Sequence, residues 1–148
     1  MARSDGAKTP VFLPDDVVAA LNSGTHSAPF DVLGPHKSGN RRWITTFQPD
    51  AIDVIATVAG KETHLPRIAG DVFSGPVAGK TYTLTMRYAD GSTYTTRDPF
   101  SFDPVLSDFD QYLVGEGTHK ELWRVLGAHT TTHAGANGVH FAVWAPNA

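Results

Sequence analysis

The chain contains no cysteine, which excludes a disulfide framework, a thiolate metal centre and a cysteine nucleophile. It also lacks long apolar runs. No stretch approaches the roughly 18 apolar residues of a spanning helix, and the N-terminus carries no apolar signal core. Basic charge is not in surplus: 12 Lys and Arg face 15 Asp and Glu, a net charge of −3 with His neutral. A nucleic-acid binder shows a basic surplus or stripe, and the one basic neighbourhood here runs from Lys37 to Arg42. Neither nucleic acid nor a membrane is expected as a partner, and no cofactor or metal is expected.

What is present fits one folded core. With 148 residues, 41% hydrophobic and 18% charged, the chain is long and apolar enough to fold without staples, and too apolar for disorder. Its 14 glycines and 10 prolines favour short elements joined by turns.

Residues 1–13, polar and then proline-bearing, read as a flexible tail. Pro14, Asp15 and Asp16 ahead of Val17–Leu21 predict a short helix, because proline suits a first turn and acids suit the positive helix end. Asn22-Ser23-Gly24 closes it. His26 to His36, with Pro29, Gly34 and Pro35, reads as a fixed loop. Strands are predicted over 42–47, 51–58 and 72–77, broken by Pro49-Asp50, Gly60, Gly70 and Gly79. From Lys80 to Ala89, Tyr82, Leu84, Met86 and Tyr88 alternate with Thr81, Thr83, Thr85 and Arg87, the pattern of a half-buried strand. Asp90-Gly91 supplies a hairpin turn into 92–97. The expected fold class is mainly β: an immunoglobulin-like antiparallel β-sandwich with short flanking helices.

After Asp98-Pro99 the pattern turns helical. Ser107-Asp108-Phe109-Asp110 resembles a capping box, with Phe109, Tyr112 and Leu113 on one face and Gly115 and Gly117 as stops. Thr118 to Leu126 reads as a second short helical stretch with Leu122, Trp123 and Leu126 on its apolar side, and 130–138 as a polar loop. The expected organisation is a tail at 1–13, a sandwich module at 14–104, a helical connector and loop at 105–138, and the first strand of a second sandwich at 139–148.

That last division rests on self-similarity. Leu33-Gly34-Pro35-His36 returns as Leu126-Gly127-Ala128-His129, with Leu33 and Leu126 lying 93 residues apart. Downstream, Ile44-Thr45-Thr46-Phe47-Gln48-Pro49-Asp50-Ala51 matches Phe141-Ala142-Val143-Trp144-Ala145-Pro146-Asn147-Ala148, with the two final alanines 97 apart, so the copies differ by four loop residues. This period far exceeds a solenoid unit and approaches the roughly 100 residues of one immunoglobulin-like sandwich. A lone second-copy strand cannot bury its own faces. The expectation is therefore that the chain is a piece of a longer protein whose second domain follows.

The same residues carry a family resemblance. Pro29-Phe30-Asp31-Val32-Leu33-Gly34-Pro35-His36 resembles the opening motif of bacterial glycogen branching enzymes, members of glycoside hydrolase family 13. Asp98-Pro99-Phe100-Ser101-Phe102, Glu116-Gly117-Thr118-His119, Leu126-Gly127-Ala128-His129 and Val139 to Ala148 occur in that family in the same order, so the resemblance spans roughly residues 14–148. Phe100 departs from the tyrosine expected there, losing a hydroxyl and keeping the packing. The resemblance implies an N-terminal sandwich, a second sandwich of the starch-binding type, a (β/α)₈ catalytic barrel and a C-terminal β domain. It implies a parent enzyme that cuts α-1,4-glucan chains and rejoins them through α-1,6 bonds, in the cytoplasm, during glycogen biosynthesis. This chain would be the non-catalytic N-terminal module, packing against the following domains of the same chain and influencing transferred chain length.

Retaining glycosyl transfer needs two carboxylates about 5–5.5 Å apart, and a barrel takes about 250 residues. With no βα alternation the fragment is expected to be inactive alone, with no catalytic residue. Asp15, Asp16, Asp98, Asp103, Asp108 and Asp110 sit at helix starts and proline turns, where cap and Asx roles explain them. His129 and His133 have metal-ligand spacing, but the residues around them read as loop. His36 and His129 close equivalent motifs and read as hydrogen-bonding residues that fix a turn.

Glucan binding needs exposed aromatics beside polar groups. Of Trp43, Tyr82, Tyr88, Tyr94 and Trp123, the tyrosines at 82 and 88 share a face with Leu84 and Met86 and read as core, and Trp123 reads as packing the connector. If Ile44 is core, Trp43 is exposed beside Lys37, Arg41 and Arg42, so the candidate glucan contacts are Trp43, Arg41 and Arg42. α-Glucan or glycogen stays open as a partner. The rival readings are an autonomous α-glucan-binding module and a spacer or interaction domain with no ligand.

Overall fold

Proline at 14 and the two acids after it start a helix where the sequence places one. The computed structural model describes residues 13–146 and contains α1 at Asp15–Ser23, with Pro14 as an extended N-cap. Gly24 ends it in the left-handed region at φ 70°, its N–H turned back to the Ala20 and Leu21 carbonyls. Val18 and Leu21 point inward and pack with Leu13, Val32, Leu33 and Val72. Leu13, assigned to the tail from sequence, is thus fully buried; its apolar side chain belongs to the core under α1. The remainder of the expected tail, 1–12, lies outside the described residues.

The chain divides into two compact units, the break falling between Ser101 and Phe102. The first holds eight strands: β1 (Gly34–Ser38), β2 (Arg41–Phe47), β3 (Ala51–Val58), β4 (Lys61–His64), β5 (Arg67–Ala69), β6 (Val72–Val77), β7 (Thr83–Tyr88) and β8 (Thr93–Arg97). They form two antiparallel sheets, ordered β1-β2-β6-β5 and β4-β3-β7-β8. In immunoglobulin nomenclature these orders are A-B-E-D and C′-C-F-G, so the unit is an immunoglobulin-like sandwich. The predicted strands at 42–47, 51–58, 72–77 and the hairpin around Asp90-Gly91 are all present. The expected loop at 26–36 already gives way to β1 at Gly34. Strands β4 and β5 escape a hydropathy reading because they are short, polar edge strands.

Between the sheets, Ile44, Val54, Ala56, Leu65, Phe73, Tyr82, Leu84 and Met86 make the main core, with Tyr88 partly buried against it. The chain has no cysteine, so apolar contact within this cluster, not a disulfide, joins the sheets. The opposite face of the β1-β2-β6-β5 sheet is also covered, because Val72 and Phe47 pack into the cluster built on α1. This sheet is therefore buried on both sides, and β2 shows four consecutive buried residues rather than alternation.

One polar contact ties the unit together. Tyr82 lies at the corner between β6 and β7, and its hydroxyl donates to Asp98 Oδ2 at 2.5 Å. The other carboxylate oxygen accepts the Phe100 N–H at 2.9 Å, an Asx turn that starts the one-turn 3-10 segment Pro99–Ser101. The Phe100 ring lies tilted against Phe30, their centroids 4.9 Å apart, and the Phe100 carbonyl covers Gly34, which sits at φ 90° where a Cβ would overlap that oxygen. Asp98 is only 1% exposed. Burial pushes its pKa above the ordinary value, against the two bonds that lower it; burial first, then the adjacent carboxylate, pushes Tyr82 upward as well.

The second unit contains α2 (Asp108–Gly115), α3 (Leu122–Val125), β9 (Gly127–His133) and β10 (Ala136–Ala142). The capping box forms as read: Asp110 N–H donates to Ser107 Oγ at 3.1 Å, and Ser107 N–H to Asp110 Oδ2 at 3.3 Å. Ser107, then His119 at 3.1 Å, hold the Asp110 carboxyl below its usual range. The expected loop at 130–138 is instead part of a hairpin. Three β-branched threonines suit a strand, and Ala134 and Gly135, at φ 47° and 78°, make the tight turn.

The repeat holds at atomic level. Gly34 and Gly127 open their hairpins at φ 90° and 96°. His36 donates from Nε2 to the Leu33 carbonyl at 2.9 Å, and His129 to the Leu126 carbonyl at 2.8 Å. Gly34 pairs with Thr45, as Gly127 pairs with Ala142. The four extra residues lengthen the second hairpin by two per strand, rather than its loop.

Two substitutions test the Asp98 contact. Tyr82→Phe leaves a buried carboxylate oxygen without its donor and should cost about 1–3 kcal/mol in urea unfolding. Asp98 holds its proton more tightly folded than unfolded, so its share of stability falls as pH rises from the unfolded value of 3.8 through the raised folded pKa. The stability difference, wild type minus Asp98→Asn, should therefore fall across that window; a difference that grows with pH contradicts the assignment.

Candidate functional site

A groove of the first unit lies at one open end of the sandwich, between the sheets. Alternation along β2 places Arg42 on the inner face with Ile44, and Val77 faces it from β6 in register. On the other sheet, Val58 shares the inner face with Ala56, and Lys61 stands opposite Val58 across β3 and β4. The groove has a volume of about 780 Å³. Val58, Val77 and Pro76 give it an apolar lining, and Val58 and Val77 also pack on the core. Lys37, Arg41, Arg42 and Lys61 surround them, with Asn40 and Thr63 as neutral polar groups. No acid, histidine or aromatic residue lines it. Such a groove has no nucleophile or general acid for glycosyl transfer.

Of the three candidate contacts, Arg41 and Arg42 reach this groove and Trp43 does not. The expectation that a buried Ile44 would leave Trp43 exposed is corrected here: Ile44 is fully buried and Trp43 is 8% exposed. Its strand is central, lying between β1 and β6 with His36 and Pro76 as cross-strand neighbours, in the sheet that is covered on both faces. Alternation along β2 separates two buried sides, not inside from outside. Trp43 consequently offers no free ring for a sugar.

The other aromatics divide as follows. Tyr82 is core and Tyr88 packs on it, as read, whereas Tyr94 is exposed. Trp123, expected to pack the connector, is 64% exposed. His129 and His133 lie on one face of β9 rather than in a loop, and each directs Nε2 to a backbone carbonyl, of Leu126 and Asp103 respectively. Among the described residues no three His, Cys, Asp or Glu side chains gather as a metal site, and no helix is long and apolar enough to cross a membrane. The sequence reading missed Lys61, and for Asp98 it found the Asx turn but not the contact with Tyr82. Lys61 meets the other cations only through the β3–β4 pairing, and Asp98 meets Tyr82 only through the fold.

The fold and site define an immunoglobulin-like module with a cationic groove and no catalytic constellation in it. Residues 14–100 match the family model described as alpha-1,4-glucan branching enzyme GlgB, N-terminal domain, and the chain belongs to that family. Among curated relatives, the 1,4-alpha-glucan branching enzyme GlgB of Rhizobium meliloti (strain 1021) is 47% identical over 145 residues, covering 94% of this chain and 20% of the relative. The enzyme of the same name from Novosphingobium aromaticivorans is 42% identical over 141 residues, covering 91% and 19%. That of Thermobifida fusca is 40% identical over 139 residues, covering 88% and 19%. The similarity thus runs beyond the matched domain into the second unit, and the chain spans about a fifth of the length of these relatives.

Trp43→Ala should therefore act on stability, lowering the unfolding free energy by about 3–5 kcal/mol. Arg41→Gln and Arg42→Gln should each stay within about 0.5 kcal/mol of wild type. Urea denaturation checks both, and a neutral Trp43→Ala contradicts the buried placement.

Proposed function

We propose that this chain is the non-catalytic N-terminal module of a glycogen branching enzyme. The parent enzyme, a hexosyl-transferring glycosyltransferase, cleaves α-1,4-glucan chains and re-attaches them through α-1,6 bonds in the cytoplasm. The observation that carries this reading is the 47% identity to a named branching enzyme across 94% of the chain. The chemistry belongs to other parts of that protein, because the groove here lacks acids and the chain has no βα barrel pattern.

The module works through contact with the following domains of the same chain. Phe109, Tyr112, Trp123, Phe141 and Trp144 are exposed in the second unit and offer apolar side chains to those domains. Packed there, the module shapes the path of glucan toward the barrel and so influences the length of chain transferred. Burial of Trp43 withdraws that ring as a stacking surface for glucan, while Tyr94 and Trp123 stay exposed.

Incubated with amylose, the chain alone should leave the iodine colour and reducing ends unchanged. The full-length enzyme without residues 1–104 should still branch, with a shifted distribution of transferred chain lengths. Unchanged chain lengths in a folded deletion variant contradict the module's role, and branching by the isolated chain contradicts its non-catalytic assignment.

A further inference from the structure

The cationic groove is left without a task by the docking role, and its chemistry is specific. Lys37, Arg41, Arg42 and Lys61 come from β1, β2 and β4 and converge on one open end of the sandwich, in a chain whose net charge is −3. Among the described residues, ion pairs are made by Arg67, Arg87, Arg124, His64 and His119, and none of the four groove cations takes part. Folding brings these like charges together with no carboxylate in the lining to offset them, an arrangement that favours an anion from outside.

Edge protection accounts for part of the set. Lysines on edge strands discourage sheet-to-sheet aggregation, and Lys37 on β1 and Lys61 on β4 occupy edge strands. Arg42 does not: β2 is an interior strand, and Arg42 shares the inner face with Ile44, opposite Val77. A guanidinium there presents a planar fork suited to two oxygens of one anion. The lining beneath it is apolar, from Val58, Pro76 and Val77, with Asn40 and Thr63 beside it. That combination fits a molecule with one strongly charged end, a CH-rich face and hydroxyls. The volume of about 780 Å³ is that of a small-molecule site.

We propose that this groove binds a phosphate monoester of a small sugar, the dianion held by Arg42, Arg41, Lys37 and Lys61 and the sugar ring resting on Val58 and Val77. The site is independent of the docking surface of the second unit and of the branching-enzyme reading.

The test is an amide NMR titration of the 148-residue chain with glucose 6-phosphate, glucose and inorganic phosphate at constant ionic strength. Glucose 6-phosphate should give saturable shifts confined to residues 37–42, 58–63 and 76–78. Its affinity should exceed that of inorganic phosphate by about tenfold, and glucose should give none. The Arg42→Gln/Lys61→Gln double variant, whose amide spectrum should otherwise be retained, should weaken binding at least about tenfold; Arg42→Lys should recover part of it. Equal affinity for inorganic phosphate overturns the sugar ester as ligand. Shifts that do not saturate, or that survive the double variant, overturn the site.

Discussion

The hydrogen bond from Tyr82 to Asp98 is the contact on which the first unit depends. Tyr82 stands where immunoglobulin-like domains place a corner tyrosine, just before the strand equivalent to F, but its hydroxyl reaches a carboxylate beyond β8 rather than nearby backbone. Asp98 then orders the turn that carries Phe100, and Phe100 closes over Gly34 at the start of β1. A chain of three contacts thus links the end of one sheet to the first strand of the other. Burying that carboxyl is costly, as its raised pKa records, and the two donors aimed at it offset the cost.

The second copy of the opening motif shows what that closure adds. Gly127 and His129 repeat the backbone turn and the histidine lock of Gly34 and His36. Nothing among the described residues stands over Gly127 as Phe100 stands over Gly34. The consequence appears on the facing strand: Ile44 is fully buried, and its counterpart Phe141 is 72% exposed. The motif therefore sets a hairpin by local bonds alone; in the first copy, burial comes from the facing sheet and from α1.

Much of this was legible in the sequence because it is local. The period-two run at 80–89, the Asp90-Gly91 turn, the Ser107 capping box and the Leu-Gly-x-His repeat all express themselves within a few residues. The errors have one cause, which is dependence on neighbours distant in sequence. Trp43 looked exposed because alternation was taken to separate core from solvent, and only the covering of both faces of the β1-β2-β6-β5 sheet shows otherwise. Leu13 looked like tail because its partners Val32 and Val72 lie far along the chain. Thr130 to Gly138 looked like loop because threonine is polar, although its branched β-carbon suits a strand. The basic neighbourhood from Lys37 to Arg42 was visible, but Lys61 joins it only after β3 and β4 pair.

The central claim is that the first unit is closed by its own contacts, whereas the second hairpin is held chiefly by its turn and its ladder. Native-state amide hydrogen exchange on the 148-residue chain tests this most directly. The account predicts that amides of β2, β3, β6 and β7 exchange only through global unfolding, at about 5–15 kcal/mol. Amides of β9 and β10 should open locally at a small fraction of that free energy. Equal protection in both sets would contradict it, by showing that the second hairpin needs no further cover.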